Sequence, residues 1–325
     1  MPLEQKMIDF LKNQPHVDQL DGNFEQPPGA KIADYLFFHK KAVVELKNLS
    51  SDPAEKILDY AAPLMNSDEF PLIFGEYDLD AAISSMKNGK AELNKIFAKS
   101  TTVIEGVLRQ AKKQIASSKK ILQIDAETPG ILLVLNDKFD SIPANQIANR
   151  FSYWLGGGNS NDPNRFHDID FVIYLQTTYK IKDQLTIPAF VISNNCNSHR
   201  HSSIETDIYT FLQAWAQSLG QNYSSMNADI VLDLESTKPA RPITTRQDFI
   251  EAKYRATRYL KNLPEEQLID YGAMITERML SLVIKGKTRP SERDAIIYMT
   301  QFTELLEECR LRSFDFKKIT CRIRK

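Results

Sequence analysis

Cysteine is scarce in this chain: 325 residues hold three, at positions 196, 309 and 321, an odd and widely spaced set. That excludes a disulfide framework and leads us to expect reduced thiols in a cytoplasmic protein. Long apolar runs are missing too. No stretch approaches the ~18 residues needed to cross a bilayer, so no membrane span is expected. The first residues, MPLEQKMIDFLKNQ, lack the apolar core and small-residue cleavage site of a secretory signal. Net charge is nearly absent, with 41 Lys+Arg against 42 Asp+Glu, which argues against wholesale coating of nucleic acid. The familiar catalytic fingerprints are absent as well: no GxxxxGK(S/T), no GxGxxG, no GxSxG and no HExxH. Each absence removes a class, namely P-loop NTPases, dinucleotide-binding enzymes, serine hydrolases of the elbow type and zincins.

What remains is an ordinary globular composition, 42% hydrophobic with 12 Gly and 15 Pro, in a chain long enough for about two domains. The near-zero charge hides an asymmetry. Residues 240–325 carry 18 basic and 12 acidic side chains, a balance of +6, and residues 1–239 carry 23 and 30, a balance of −7. A modest basic surface in the last third could meet phosphate.

Periodicity predicts a short amphipathic helix over 3–13, with Met7, Ile8, Phe10 and Leu11 on one side. A Gly-, Asn- and Pro-containing loop at 21–29 follows, then strands at 31–38 and 42–46 joined by His39, Lys40 and Lys41 as a hairpin. Residues 49–100 read as a helical insertion opened by Ser51-Asp52-Pro53. Residues 101–120 form a clear helix, with Val103, Val107, Leu108, Ala111 and Ile115 on one face. After Pro129-Gly130 the run GILLVLND has the look of a central strand. A helix at 143–155, strands at 170–176 and 187–192 and a helix at 203–219 complete an α/β pattern over 1–235. Residues 236–245, STKPARPITT, read as a linker. Helices at 246–262, 265–285 and 291–312 then form an all-helical C-terminal domain, 246–325, ending in a short basic tail. Met274, Met279, Leu280 and Val283 mark an apolar stripe for its core, or for a partner protein or second copy.

Several clusters carry little. Gly156-Gly157-Gly158 precedes no lysine and reads as a loop. Cys196, His199 and His201 lack a fourth zinc ligand at sensible spacing. His167, Asp168 and Asp170 read as polar residues at a strand mouth.

The informative segment pairs Asp34, in the first hairpin strand, with Glu45 and Lys47 in the second. Residues two apart on a strand share a face, so Glu45 and Lys47 are neighbours, and register can bring Asp34 beside Glu45. Two adjacent carboxylates repel unless a cation lies between them, and Mg²⁺ takes such oxygen ligands while keeping several waters. A lysine alongside can serve a nucleophilic water or a developing negative charge. An acidic residue followed two positions later by Lys occurs four times, at Glu4, Glu45, Glu251 and Asp315. Only the Glu45 case ends an apolar strand.

Helix, Asp-bearing strand, Glu-x-Lys strand, helix and apolar strand together resemble the core of the PD-(D/E)XK nuclease superfamily, including its Holliday-junction-resolvase-like members. The resemblance covers 1–135 and reaches toward 220; an Ala precedes Asp34, and the insertion before the motif helix is long. It implies a restriction-endonuclease-like mixed sheet flanked by helices. It also implies Asp34 and Glu45 as ligands for Mg²⁺ or Mn²⁺, and Lys47 as the residue serving the water. It further implies a Gln or Lys on the following helix, for which Gln110, Lys113 and Gln114 are the candidates and Gln114 is favoured. A further Glu on the first helix would be Glu4, with Glu25 the other nearby choice. The expected activity is hydrolysis of nucleic-acid phosphodiesters, with DNA favoured over RNA. The alternative is a non-cutting module on the same scaffold that binds nucleic acid or protein.

Overall fold

The computed structural model describes residues 2–20, 22, 31–73, 77–158, 162, 164–181, 187–202, 204–225, 234–237, 246–283 and 291–323. Glu25 and all but the first two residues of the expected 236–245 linker lie outside them. The chain divides into two compact units, one of residues 1–56 with 99–238 and the other of 57–98 with 239–325.

The first unit is built on a six-stranded mixed sheet ordered β1 (Val17–Gln19), β2 (Tyr35–Phe37), β3 (Ala42–Asn48), β4 (Gly130–Asn136), β5 (Phe171–Gln176) and β7 (Ala189–Ser193). β6 (Tyr179–Ile181) pairs separately with β8 (Leu234–Ser236). The strands β3, β4 and β5 are parallel, and the pairs at both edges are antiparallel. β4 is buried along its whole length in the middle of the sheet, as a run without polar alternation requires.

Helices cover both faces. α1 (Leu3–Lys12) and α8 (Glu205–Ser218) send Met7, Phe10, Leu11, Phe211 and Trp215 onto Val44, Leu133 and Ile173. Strand alternation turns Val43, Glu45 and Lys47 to the opposite face, where α5 (Thr102–Ile121) packs on β3 and β4. α6 (Ala144–Leu155) lies on the same side, its Phe151 ring 5.7 Å from Tyr174. The buried stripe of α5 is Ile104, Leu108, Ala111 and Ile115, with Val103 exposed in place of the expected contact. Ile104, one position on, keeps the spacing of three to four that a helix face demands.

In the second unit, α2 (Ala54–Met65), α3 (Leu79–Ser84) and α4 (Gly89–Ser100) bury Ala61, Phe70, Ala82, Ile83 and Ile96 together. Phe316 N donates to Leu72 O (2.9 Å), Leu72 N donates to Asp315 (2.9 Å), and Lys317 Nζ donates to the carbonyls of Asp68 and Phe70. These bonds group residues 57–98 with the C-terminal helices, whereas the sequence reading set them inside the α/β part.

α9 (Arg246–Thr257), α10 (Glu265–Val283), α11 (Glu292–Leu311) and α12 (Lys317–Ile323) form the rest. The expected basic tail is therefore mostly a helix. Met274 and Leu280 of the expected stripe are exposed; the buried face of α10 is Leu268, Ile269 and Ile275. Gly272 sets that face, because a Cβ there would lie 2.4 Å from Ile319 Cδ1 of α12. Four basic side chains of this unit are engaged internally: Arg255 and Arg310 pair with buried Glu307, and Arg258 and Arg312 with buried Glu308. Among the described residues no helix is long and apolar enough to cross a membrane.

Candidate active site

The hairpin is shorter than expected on its first strand. Residues 31–34 are not β-structure, and β2 begins at Tyr35 opposite Val44. One step further along that register Asp34 stands opposite Glu45. There the ladder gives way to a side chain: Leu46 N donates to Asp34 Oδ2 at 2.8 Å, in place of a backbone carbonyl. On the other side Leu20 N donates to Asp34 O at 2.8 Å, which ties the residue to the β1 side.

α5 grips the two residues before Asp34. Ala33 N donates to Ser118 Oγ at 2.6 Å, and Gln114 Nε2 donates to Ile32 O at 3.2 Å. Both positions lie one turn apart on the helix, so a single rigid element fixes the approach to Asp34.

Glu45 is fully buried, and Lys47, two residues on and on the same face, pairs with its Oε1. Lys47 and Gln114 are the side chains that approach the Glu45 oxygens, and neither contact meets strict hydrogen-bond geometry. Burial is the main cause that raises the Glu45 carboxyl, to about 7; the charge of Asp34 adds to it, and Lys47 and Gln114 oppose it. At neutral pH this carboxyl is therefore poised between its two forms. Asp34, Glu45, Lys47 and Gln114 are thus brought together, and Gln110, one turn earlier on α5, is exposed.

The donor set suits a hard divalent cation. A buried carboxylate next to a second carboxylate, with one ammonium paired to it, is relieved by further positive charge. Only two carboxylates take part, since no group of three or more His, Cys, Asp or Glu able to hold a metal exists among the described residues. Water ligands would complete the shell, as Mg²⁺ usually arranges.

Glu4 is placed differently. It accepts from Asn48 Nδ2 at 3.0 Å on the α1 face of the sheet. There it borders a cleft of about 240 Å³, whose α1 wall is Glu4, Ile8 and Lys12 and whose opposite wall is Gln19, Asp34, Tyr35 and Leu46. The spacing of four between Glu4, Ile8 and Lys12 was the available signal for that wall; Glu4 stands out in the sequence, whereas Ile8 reads as part of the apolar stripe with Met7, Phe10 and Leu11 and instead borders the cleft.

The other clusters go elsewhere. His199 faces Glu127, and His201 packs on the Phe171 ring at 4.6 Å, so Cys196, His199 and His201 do not converge. Asp170 Oδ2 accepts from Gly130 N at 2.8 Å, with Arg200 3.7 Å from its other oxygen, which is the structural role of a buried acid at a strand mouth. Gly156–Gly158 follows α6 as a turn, with Gly157 and Gly158 at positive φ. No protein-family model, no curated protein and no solved structure matches this chain.

Proposed function

We propose that the α/β unit is a metal-dependent nuclease. What supports this reading above all is Glu45: a fully buried carboxylate beside a second carboxylate, Asp34, with Lys47 paired to it on the same face. A protein that used this pair only for stability would gain by replacing the buried acid with an apolar side chain. Asp34 and Glu45 would hold Mg²⁺ or Mn²⁺, which would supply positive charge to polarise a phosphodiester. Lys47 Nζ orients the attacking water and donates to the negative charge that develops on the phosphoryl oxygens. Gln114 orients Glu45 and, through Ile32 O, the backbone leading to Asp34. Water attacks phosphorus in line, forming a new P–O bond as the P–O bond to the leaving sugar oxygen breaks; the water gives up a proton to solvent or a neighbouring base, and the leaving oxygen takes one from solvent.

The test is incubation with labelled DNA and RNA in Mg²⁺, in Mn²⁺ and in EDTA. Cleavage is expected with either metal and not in EDTA. Asp34→Asn, Glu45→Gln and Lys47→Met are each expected to lower the rate by at least ~10²-fold, the scale for one electrostatic or acid–base group. Gln114→Ala is expected to lower it about tenfold, as for a residue that orients a ligand. Equal cleavage by wild type and Glu45→Gln would refute the assignment. Binding without cleavage by either would leave the second reading, a nucleic-acid-binding module on this scaffold.

A further inference from the structure

α5, α6 and the turn before β5 bring a second constellation together, away from Asp34 and Glu45. Along α5, Glu105 and Gln114 are separated by about two and a half turns, so they lie on opposite flanks of the helix. On the Glu105 flank three arginines gather round one carboxylate. Arg165 pairs with Glu105, Arg109 Nε lies 3.6 Å from it, and the charge of Glu105 acts on Arg150 as well. Among the described residues these arginines pair with no other carboxylate, so the cluster keeps an excess of positive charge.

The guanidinium groups are held in place by rings. Arg150 stacks over Tyr153 at 4.5 Å and over Trp154 at 4.9 Å, and Arg165 stacks over Trp154 at 5.4 Å and Phe166 at 5.3 Å. Stacking of this kind orients a guanidinium through its face and leaves its N–H edge for a ligand. Arg150 Nε and Trp154 Nε1 are both buried and have no acceptor, and Trp154 as a whole is only 4% exposed. Burial holds Arg150 below the ordinary arginine range, and Tyr153 and Glu105 oppose that without outweighing it. Arginine stays charged even so, and the cost of taking it from water is not met within the chain. Two buried donors without acceptors, in a cluster of net positive charge, call for an anion with several oxygens. Tyr153, 40% exposed, adds an aromatic surface beside them.

We propose that this cluster binds a nucleotide unit of single-stranded nucleic acid, with its phosphate on Arg150 and Arg165 and its base against Tyr153. A guanidinium fork matches phosphate oxygens two at a time, and an aromatic ring accepts any base, so binding carries no sequence preference. The cluster holds nucleic acid without touching the reacting atoms. It stands apart from the nuclease reading and is tested with metal removed.

The test is fluorescence anisotropy in EDTA with short labelled oligothymidylate and oligouridylate. The full chain is compared with Arg150→Ala, Arg150→Lys and Tyr153→Ala, each checked for folding by circular dichroism. Arg150→Ala is expected to weaken binding by at least about tenfold, the scale of one charged hydrogen bond. The slope of log affinity against log salt should fall by about 0.7, one phosphate contact on a single strand. Arg150→Lys should keep that slope, because the charge remains, and recover the affinity only in part, because the fork and the stacking are lost. Tyr153→Ala should weaken binding about tenfold with the slope unchanged, as for one stacked base. Adenosine monophosphate should displace the oligonucleotide from wild type better than inorganic phosphate does, and Tyr153→Ala should abolish the difference. No binding by wild type, or unchanged affinity in both Arg150→Ala and Tyr153→Ala, would overturn the assignment. Equal displacement of the wild-type complex by phosphate and the mononucleotide would overturn it too, leaving an anion site that does not read a base. Because metal is absent throughout, failure of the nuclease reading does not enter the result.

Discussion

Glu45→Gln is expected to stabilise the metal-free protein at pH 8 and to leave it no more stable at pH 4.5. Folding buries Glu45 beside Asp34 and raises its carboxyl from 4.5 to about 7. Between those two values the folded chain holds a proton that the unfolded chain has released. Wild-type stability therefore falls as pH rises through this window, is undiminished below it and has paid the full penalty above it. Two and a half pH units correspond to roughly 3 kcal/mol. Gln keeps the shape and removes the charge, and the raised value already contains the opposing effect of Lys47. The net expectation is therefore roughly 3 kcal/mol in favour of Gln at pH 8, or about 6–12 °C in the Tm of a unit this size. The assay is calorimetric unfolding in EDTA across pH 4.5–8.5, with the sheet unit's transition followed separately. Mg²⁺ should raise the wild-type Tm at pH 8 by mass action and leave Glu45→Gln unmoved. A variant equally or less stable at pH 8, or offset by the same amount at both pH values, would refute the account of Glu45 as a strained buried acid.

Three further perturbations probe the frame around the site. Ser118→Ala removes the acceptor of Ala33 N and should cost about 1–2 kcal/mol in thermal unfolding, with a loss of cleavage that follows from a loosened Asp34. Gly130→Ala would set a Cβ 2.0 Å from Asp168 O and 2.9 Å from Ile115 Cγ2, so destabilisation by at least ~2 kcal/mol is expected in urea melts of the sheet unit. Burial would raise the Glu308 carboxyl, but bonds from Arg258, Tyr254 and Arg312 outweigh it and hold it low. Its stabilisation is present above the ordinary carboxylate range and lost as pH falls through the lower folded value. Glu308→Ala, which leaves the two arginines uncompensated, should cost about 3–5 kcal/mol in the helical unit at pH 7 and less in acid.

The parts of the fold legible in sequence were those where one side-chain pattern has one physical solution. GILLVLN has no polar alternation, so it had to lie inside a sheet with both faces covered, as β4 does. The helix at 101–120 and the α/β alternation followed from period alone. Where two solutions share a pattern, the sequence was silent. Met274 and Leu280 keep helical spacing as well as Leu268 and Ile275 do, and the choice was made by Gly272, whose missing side chain admits Ile319. The grouping of residues 57–98 with the C-terminal helices depends on backbone bonds from Leu72 and on Lys317, between positions more than 240 apart, which no local signal announces. β1 has three residues, VDQ, two of them polar and too few to show a period.

The grouping of Asp34 with Glu45 and Lys47 was legible for a different reason: placing a charge at the end of an apolar strand has an energetic cost that a sequence does not bear without a return. Once β3 pairs in parallel with β4, alternation sends Val44 and Leu46 to one face and Glu45 and Lys47 to the other, under α5. The hairpin register, continued one step past Tyr35 and Val44, then sets Asp34 beside Glu45. The detail that strand pairing could not supply is how Asp34 is held, because it lies outside the strand. Its carboxylate caps Leu46 N, and α5 fixes its two predecessors through Ser118 and Gln114. Two carboxylates are thereby pinned from three elements at once, so they cannot relax apart when unneutralised. Burial is the main cause that raises Glu45, and the Asp34 charge held beside it adds to that; the same rigidity would suit a cation, since ligands already held together give up little conformational freedom on binding.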